Sequence, residues 1–378
     1  MSGTGSRALL ASYLRQAQLT QLSEIAPLNN GLSNQNFYVR GTHPSHEGEG
    51  QWVLRVNSWA SSQICDRNAE VANWQVAAAA GLAPKMVYIS PCNQFYVSQF
   101  YPQPQMDWSI FSAENAADFV GLKDQGIAAQ QPKPQGQHAL MLDCSAERLL
   151  LTLLNGLSKL PEPDNKMSVD KQWRTYLQRL QAMQVKIVNG ASHVHDAVIC
   201  HTQRVANNVS IQKRQLSLLK SWQQVYEQLN AKSVQVEHML QRLNSCLIRQ
   251  QYSHRDLNPF NILLVDNKLN CIDFEYACSS HPLCDLAAVL ASHSLSKIQC
   301  QWLIQQYLTS NVNLNHLALH CVDAAVDLYW VFAVCWALQM VFDHLVNEQG
   351  VNINTDKLNS AEEYLACAQR YLTLISQA

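Results

Sequence analysis

Charged side chains are scarce in this sequence, and their two signs nearly balance. Aspartate, glutamate, lysine and arginine together make up 15% of the 378 residues, and the formal net charge is −2. A typical soluble domain has about a quarter of its residues charged. Because a nucleic-acid partner is bound mainly through an excess of basic side chains, we expect none for this chain.

The sequence also lacks closely spaced cysteines and a long apolar run. Its 12 cysteines are scattered without a C-x-x-C pair, and Cys271, Cys321 and Cys335 lie in apolar surroundings, so we expect buried thiols in a reducing compartment. The first 18 residues lack the apolar core of a signal peptide. The most apolar stretch, 328–342, is too short to span a bilayer. We therefore expect a soluble cytoplasmic protein without a membrane span, in which this stretch is a buried helix.

The pattern of apolar residues divides the chain into two parts. Residues 1–101 begin with a short amphipathic helix predicted over 1–25 and then contain alternating strand patterns and helical periodicity near 66–80. The proline-rich connector that follows marks a domain boundary, and 121–138 is predicted to be a flexible insert. Residues 102–378 are mostly helical from position 146 onward. The sequence therefore predicts an α+β fold with a small sheet lobe followed by a larger helical lobe.

The segment 252–276, YSHRDLNPFNILLVDNKLNCIDFEY, carries the most specific chemical signal. It contains H-R-D-x-x-x-x-N, ending at Asn261, and then I-D-F, so that Asp256 and Asp273 are 17 residues apart. This order matches the phosphoryl-transfer arrangement of a catalytic aspartate, a metal-binding asparagine and a metal-binding aspartate. Asp256 would accept the proton of an acceptor hydroxyl, while Asn261 and Asp273 would hold Mg²⁺ against the phosphates of ATP.

The first lobe contains matching candidates for nucleotide binding. The loop candidate includes Asn30, Gly31, Ser33 and Asn34, although it is not a G-x-G-x-x-G sequence. Arg55, in the strand segment WVLRV, is predicted to bind phosphate oxygens. Its predicted partner is Glu70 in the following helix, whereas Arg67 could pair with Glu70 through i,i+3 spacing and nothing more.

Each of these features also has an ordinary structural explanation. HRDLNPFN could be a simple turn, Arg55 a surface charge on a strand, and Glu70 part of a solvated helix face. The segment 252–276, called the catalytic segment below, argues against this because its residue types, order and spacing all match the phosphoryl-transfer arrangement. A catalytically inactive binding protein on the same fold remains an alternative, since the glycine loop is imperfect.

These motifs resemble the aminoglycoside phosphotransferase/choline kinase superfamily over most of the chain. The similar segments are LNNGLSNQNFYV, VLRV, DRNAE, GLAPKMVY, SHRDLNPFN, IDFEYA and DLAAVLASH. The resemblance implies a bilobal protein-kinase-like fold that uses ATP and Mg²⁺ to phosphorylate a small-molecule hydroxyl. It implies that Glu275 is a further metal-side carboxylate or a structural acid, and that Asp285 is the structural aspartate of these kinases.

Details within the superfamily favour its choline/ethanolamine and thiamine kinase branch. Arg55 stands where antibiotic kinases usually carry lysine, and IDFEYA is similar to the corresponding run of that branch. Asn30 replaces one glycine of its L-x-G-G-L-S/T-N loop. A protein kinase is less similar, because Asn258 replaces its lysine, Glu275 replaces the glycine of D-F-G, and no A-P-E segment follows. An aminoglycoside phosphotransferase remains the alternative.

The acceptor site is harder to locate from the sequence. A quaternary ammonium or thiazolium group needs aromatic faces and a nearby acid. Asp327, Tyr329 and Trp330 are the candidates for such an acceptor site, although aromatic residues at helical spacing more often belong to a core. The expected partner is thus a small, cationic hydroxyl compound.

Overall fold

The protein is described by a computed structural model that covers residues 3–28, 34–58, 62, 65–103, 145–200, 206–346 and 355–376, with backbone alone at 3–7, 189–200 and 206–210. The helices of the described chain are α1 (Gly3–Gln16), α2 (Arg67–Ala79), α3 (Ala146–Ser158), α4 (Val169–Cys200), α5 (Ala206–Ala231), α6 (Ser233–Cys246), α7 (Leu283–Ser292), α8 (Lys297–Ser310), α9 (Val322–Leu345) and α10 (Thr355–Leu374). The strands are β1 (Thr20–Leu28), β2 (Gln35–Thr42), β3 (Glu49–Val56), β4 (Met86–Ile89), β5 (Phe95–Gln99), β6 (Gln251–Ser253), β7 (Ile262–Val265), β8 (Lys268–Cys271) and β9 (Cys278–Ser280). The predicted α+β class is confirmed, with an antiparallel sheet near the N-terminus and a larger helical part.

The N-terminal sheet places its apolar side chains and Arg55 on opposite faces. Its five strands are all antiparallel in the order β1-β2-β3-β5-β4. One face packs on α1, where Leu14, Trp52 and Leu54 belong to one buried cluster. Since successive side chains of a strand point to opposite faces, the side chain of Arg55 lies on the face opposite to that of Leu54.

The structure corrects the expected helix within residues 1–25. Helix α1 ends at Gln16, and β1 follows from Thr20 to Leu28 as the edge strand of the sheet. Most of β1 is exposed, and among the described residues it has a neighbouring strand on one side only. An exposed edge strand lacks the strict apolar alternation that identifies a half-buried strand in a sequence.

Helix α2 is fixed by its two ends. The Asp66 carboxylate accepts hydrogen bonds from the amides of Asn68 and Ala69, at 2.9 and 3.2 Å, and so caps the first turn. At the other end Gly81 has φ +72°, the left-handed conformation that glycine adopts without strain. Gly81 thus follows the C-cap residue Ala80, the position where glycine commonly ends a helix. These ends place Arg67 and Glu70 in the first turn, where the helix dipole favours the acidic group of Glu70.

The contacts divide the chain into two compact units. The first comprises 1–166 and 248–314, and the second comprises 167–247 and 315–378. The first unit therefore includes both the N-terminal sheet and the catalytic segment. The predicted boundary between the lobes at 101/102 stays a prediction.

The second unit is helical and is built around α9. This helix packs against α4, α5, α6 and α10, and it extends beyond both ends of the apolar stretch noted in the sequence. Together with the preceding short 3₁₀ helix it is long and apolar enough to cross a membrane, but 72% of its most apolar window is buried within the protein. The prediction of a buried helix is thus confirmed, although the helix is longer than expected.

Candidate active site

The catalytic segment is folded by short local contacts. Asn258 accepts a hydrogen bond from the Phe260 amide at 2.9 Å and starts a 3₁₀ turn at Pro259–Asn261. Strands β7 and β8 then pair around a two-residue turn, in which Asp266 and Asn267 both have positive φ, as the common tight hairpin turn requires. The Ile272 amide donates to the Asn261 carbonyl at 2.9 Å. This hairpin therefore returns Asp273 to the neighbourhood of Asn261.

A buried aspartate holds the start of the catalytic loop. The Asp285 carboxylate accepts hydrogen bonds from the Ser253 hydroxyl at 2.9 Å, the His254 amide at 3.0 Å and the Arg255 amide at 2.7 Å. Arg255 has φ +68° and Asp273 has φ +67°, conformations that a non-glycine residue adopts only when its surroundings hold it there. Asp285 supplies that restraint for Arg255.

Replacement of Asp285 by asparagine is expected to lower the free energy of unfolding by about 2–4 kcal/mol, because an amide group then faces buried N–H and O–H donors. Urea denaturation followed by circular dichroism measures the change. Asp266→Asn, an exposed position in the hairpin turn, is the matched control. If Asp285→Asn lowered the free energy of unfolding no more than the control does, this would contradict the structural role of Asp285.

His254 contacts the segment that carries Asp273. Its Nε2 lies 3.1 Å from the Ile272 carbonyl oxygen, and its ring packs edge-on against Phe274. Burial lowers the pKa of His254 to about 4, and burial does the same for His293, whose Nε2 lies 2.9 Å from the Leu257 carbonyl oxygen. His254 therefore joins the start of the catalytic loop to the segment after β8.

These two histidines predict a loss of stability in mild acid. Their pKa is about 4 in the folded state and about 6.5 in the unfolded chain, so the unfolded chain takes up more protons as the pH falls. Stability should decline as the pH falls from about 6.5 to 4, by up to about 1.4 kcal/mol per pH unit for each histidine. His293→Gln retains a donor for the Leu257 carbonyl but does not titrate. Unfolding curves between pH 8 and 5 should show a shallower decline for this variant, and an unchanged slope would contradict the assignment.

Both carboxylate oxygens of Asp256 are oriented by asparagine side chains. The Asn258 amide donates to Oδ1 at 2.8 Å, and the Asn261 amide donates to Oδ2 at 2.8 Å. Burial, with the nearby charge of Asp273 as the second cause, raises the pKa of Asp256 to about 7. A carboxylate with a pKa in this range can take up a proton near neutral pH, as general-base chemistry requires.

Arg55 lies among three carboxylates. Its Nη2 forms ion pairs with Glu70 Oε1 at 2.9 Å and Glu275 Oε1 at 2.7 Å, and its Nη1 lies 3.2 Å from Asp273 Oδ1. Its Nε donates to Asn57 Oδ1 at 3.2 Å. Burial alone would lower the pKa of Arg55, but the three acids raise it overall. The guanidinium is therefore permanently charged and held in one orientation beside the catalytic segment.

Two further side chains, Arg67 and Asn34, extend this cluster. Arg67 Nη1 lies 2.6 Å from Glu70 Oε2 and 2.9 Å from Glu275 Oε1. The Asn34 amide donates to the same Glu275 oxygen at 2.7 Å, while its carbonyl oxygen accepts from the Ser58 amide at 3.1 Å. The i,i+3 spacing predicted the contact of Arg67 with Glu70, but nothing in the sequence indicated the contact with Glu275.

The oxygen atoms present fit a divalent cation such as Mg²⁺, which prefers hard oxygen ligands. Asn261 uses its amide nitrogen to bind Asp256, and Asp273 uses Oδ1 to bind Arg55. Within the described residues, Asn261 Oδ1 and Asp273 Oδ2 accept no hydrogen bond from the protein. Glu70, Asp273 and Glu275 also have oxygens within 4.8 Å of one another. The Oε1 atom of Glu275 is already bound by two guanidinium groups and Asn34, so metal binding by Glu275 would use its other oxygen.

Two groups of predicted site residues remain to be accounted for. Asn30, Gly31 and Ser33 fall outside the described residues, so their predicted nucleotide contacts stay predictions. Asp327 is buried in the second unit, where it accepts a hydrogen bond from the Ser376 amide at 3.1 Å. Trp330 is also buried and stacks on Tyr371, while Tyr329 packs edge-on against Trp330. These contacts are those of a packed core, and acceptor binding by the three residues stays a prediction.

These elements define a kinase-like fold. They are an antiparallel sheet that carries an Arg–Glu pair, and a loop and hairpin that carry Asp256, Asn261 and Asp273. A sequence model of the choline/ethanolamine kinase family matches residues 25–316. The chain belongs to this family, which confirms the resemblance stated from the motifs.

Comparisons with individual proteins agree with this family. Protein LicA of Haemophilus influenzae is 27% identical over 121 residues, which are 29% of this chain and 36% of that protein. The matched segment thus spans about a third of the curated relative. Among solved structures, choline kinase LicA from Streptococcus pneumoniae is 14% identical with a TM-score of 0.51, over 97% of this chain and 100% of that one. An ethanolamine kinase from Plasmodium vivax is 15% identical with a TM-score of 0.52, over 97% and 89% of the two chains. At these identities the structural likeness concerns the fold alone.

Proposed function

We propose that this protein is an ATP-dependent kinase that phosphorylates the hydroxyl group of a small amino alcohol of the choline or ethanolamine type. The observation that carries the proposal is the convergence of Asp256, Asn261 and Asp273 with the Arg55–Glu70 ion pair in one compact unit. A binding protein without catalytic activity would not need this complete set of groups.

Each of these residues has a distinct part in the proposed reaction. The acceptor oxygen attacks the γ-phosphorus of ATP, the bond between that phosphorus and the β,γ-bridging oxygen breaks, and Asp256 takes up the hydroxyl proton. Asn258 and Asn261 fix both oxygens of Asp256, so that the base is oriented before the acceptor binds. Arg55 contributes positive charge for the phosphate oxygens, and Glu70 holds Arg55 in place.

Asn261 and Asp273 are the residues that would hold Mg²⁺, with Glu275 as a further candidate. When bound, the ion would neutralise negative charge on the phosphates of the nucleotide. The uncommitted oxygens of Asn261 and Asp273 support this assignment. The ion would be held at Asp273 Oδ2, so the contact of Oδ1 with Arg55 would not have to break.

The matching family and the names of two similar structures support the acceptor class. The matching family is that of choline/ethanolamine kinases, and the two solved structures cited above are named as a choline kinase and an ethanolamine kinase. Thiamine and aminoglycosides are the other acceptor classes considered from the sequence. No contact in the described residues favours either of them.

An ATP-turnover assay in the presence of Mg²⁺ tests the proposal. Choline, ethanolamine, thiamine, a kanamycin-type aminoglycoside and a generic protein would be compared as acceptors, with Asp256→Ala as the blank and EDTA as the metal control. We expect stimulation by choline or ethanolamine that both controls abolish. Stimulation by thiamine or the aminoglycoside alone would overturn the acceptor class but retain the kinase. Nucleotide binding without turnover of any acceptor would contradict a choline or ethanolamine kinase.

A further inference from the structure

Arg67 connects two acids that belong to different parts of the fold. Its Nη1 contacts Glu70 in the same helix and Glu275 in the segment after β8, and its Nε donates to the Ser62 hydroxyl at 3.2 Å. The side chain is only 9% exposed. Arg67 is therefore a buried bridge between α2 and the catalytic segment, which the i,i+3 spacing alone does not indicate.

The balance of charge makes this bridge important. Among the described residues, the cluster contains the guanidinium groups of Arg55 and Arg67 and the carboxylates of Glu70, Asp273 and Glu275. Without Arg67, one guanidinium would face all three acids. Buried like charges repel strongly when no counter-charge separates them.

Arg67 also determines which atoms face Arg55. It binds Oε2 of Glu70, so that Oε1 of the same carboxylate is directed at Arg55 Nη2. It shares Oε1 of Glu275 with the same Nη2 atom. Each of the two acids that hold this side of the Arg55 guanidinium is thus itself oriented by Arg67.

We propose that Arg67 is a positioning residue for nucleotide phosphates: it orients Glu70 and Glu275 so that both direct the guanidinium of Arg55. This inference rests on the proposed kinase function, in which Arg55 binds phosphates. Arg67 does not contact the nucleotide in this scheme and acts entirely through Arg55.

Variants of Arg67 separate positioning from a purely structural role. Arg67→Gln removes the charge, and Arg67→Lys keeps it but loses the forked geometry. The matched control is Arg40→Gln, which removes an exposed arginine that pairs with Glu49 on the same sheet. The readouts are direct titration with Mg²⁺-ADP, KM for ATP, kcat and the melting temperature.

We expect Arg67→Gln to weaken Mg²⁺-ADP binding and raise KM for ATP by at least about 10-fold, the scale of a lost charge-assisted hydrogen bond. The fall in kcat should be smaller, Arg67→Lys should recover part of the affinity, and Arg40→Gln should change neither. Arg67→Gln should also weaken nucleotide binding less when Glu275 is already replaced by glutamine, because one of the carboxylates that Arg67 neutralises is then absent.

Two results would overturn the proposal. One is unchanged nucleotide affinity in Arg67→Gln. The other is a loss of nucleotide affinity that parallels a fall in melting temperature, is not restored by Arg67→Lys and is additive with Glu275→Gln. That combination would show that Arg67 has only a structural role. The titration needs no acceptor, so weaker binding in Arg67→Gln would support positioning even if no acceptor is turned over. Failure of the wild-type protein to bind nucleotide would overturn both the function and this inference.

Discussion

Asp256→Ala should reduce kcat by at least about 10²-fold, the scale of losing a general base together with its positioning effect. In the part of the chain that the structure describes, the Asp256 carboxylate is hydrogen-bonded to the neighbouring Asn258 and Asn261 amides alone, so a loss of distant structural contacts would not explain such a fall. Asp256→Asn should be equally inactive: it cannot accept the proton, and its amide group would face another amide donor. Nucleotide affinity should change much less than kcat, since Arg55 and Asp273 remain.

Steady-state kinetics with saturating acceptor, together with nucleotide titration, measures these effects. Asp266→Asn is the matched control because it makes the same substitution at an exposed position of the adjoining hairpin. The control should retain wild-type turnover. Near-normal kcat in either Asp256 variant would show that this carboxylate is not the base.

The catalytic segment could be predicted because its geometry is local. Asp256, Asn261 and Asp273 lie within one loop and one hairpin, and the two-residue turn at Asp266 and Asn267 fixes the register between them. A short segment with a specified turn leaves few alternative arrangements. The pairing of Arg55 with Glu70 was predicted from the chemistry that a phosphate-binding cation needs, and the two groups lie 2.9 Å apart.

Contacts that join distant parts of the chain could not be predicted in this way. Glu275 contacts Arg67, 208 positions away, and Asn34, 241 positions away. Nothing in the local pattern of a single sequence indicates which buried acid meets which base across such a separation. The edge strand β1 was missed for a different reason: its exposed residues carry little of the apolar pattern on which a strand prediction depends.

Asp273→Asn should lower kcat/KM by at least about 10²-fold through loss of metal-dependent nucleotide binding, equivalent to about 2.7 kcal/mol of transition-state stabilisation. Asparagine is the informative substitution because Asp273 has φ +67°, and asparagine tolerates this conformation better than alanine. The variant keeps the shape of the side chain but removes the anionic ligand and the ion pair with Arg55. Arg55 retains Glu70 and Glu275 as partners, so the fold should persist.

Calorimetric titration with ATP in Mg²⁺ and in EDTA distinguishes metal binding from folding. The wild-type protein should bind ATP more tightly with Mg²⁺ than in EDTA, and Asp273→Asn should lose most of this difference while its melting temperature remains close to that of Asp266→Asn. Burial raises the pKa of Asp273, whereas the charges of Arg55 and Arg67 and the hydrogen bond from Arg55 oppose that rise. A metal ion at Asp273 Oδ2 would supply further positive charge and favour the ionised form of this carboxylate. Unchanged Mg²⁺-dependent affinity in Asp273→Asn would mean that another group, with Glu275 the first candidate, carries the metal.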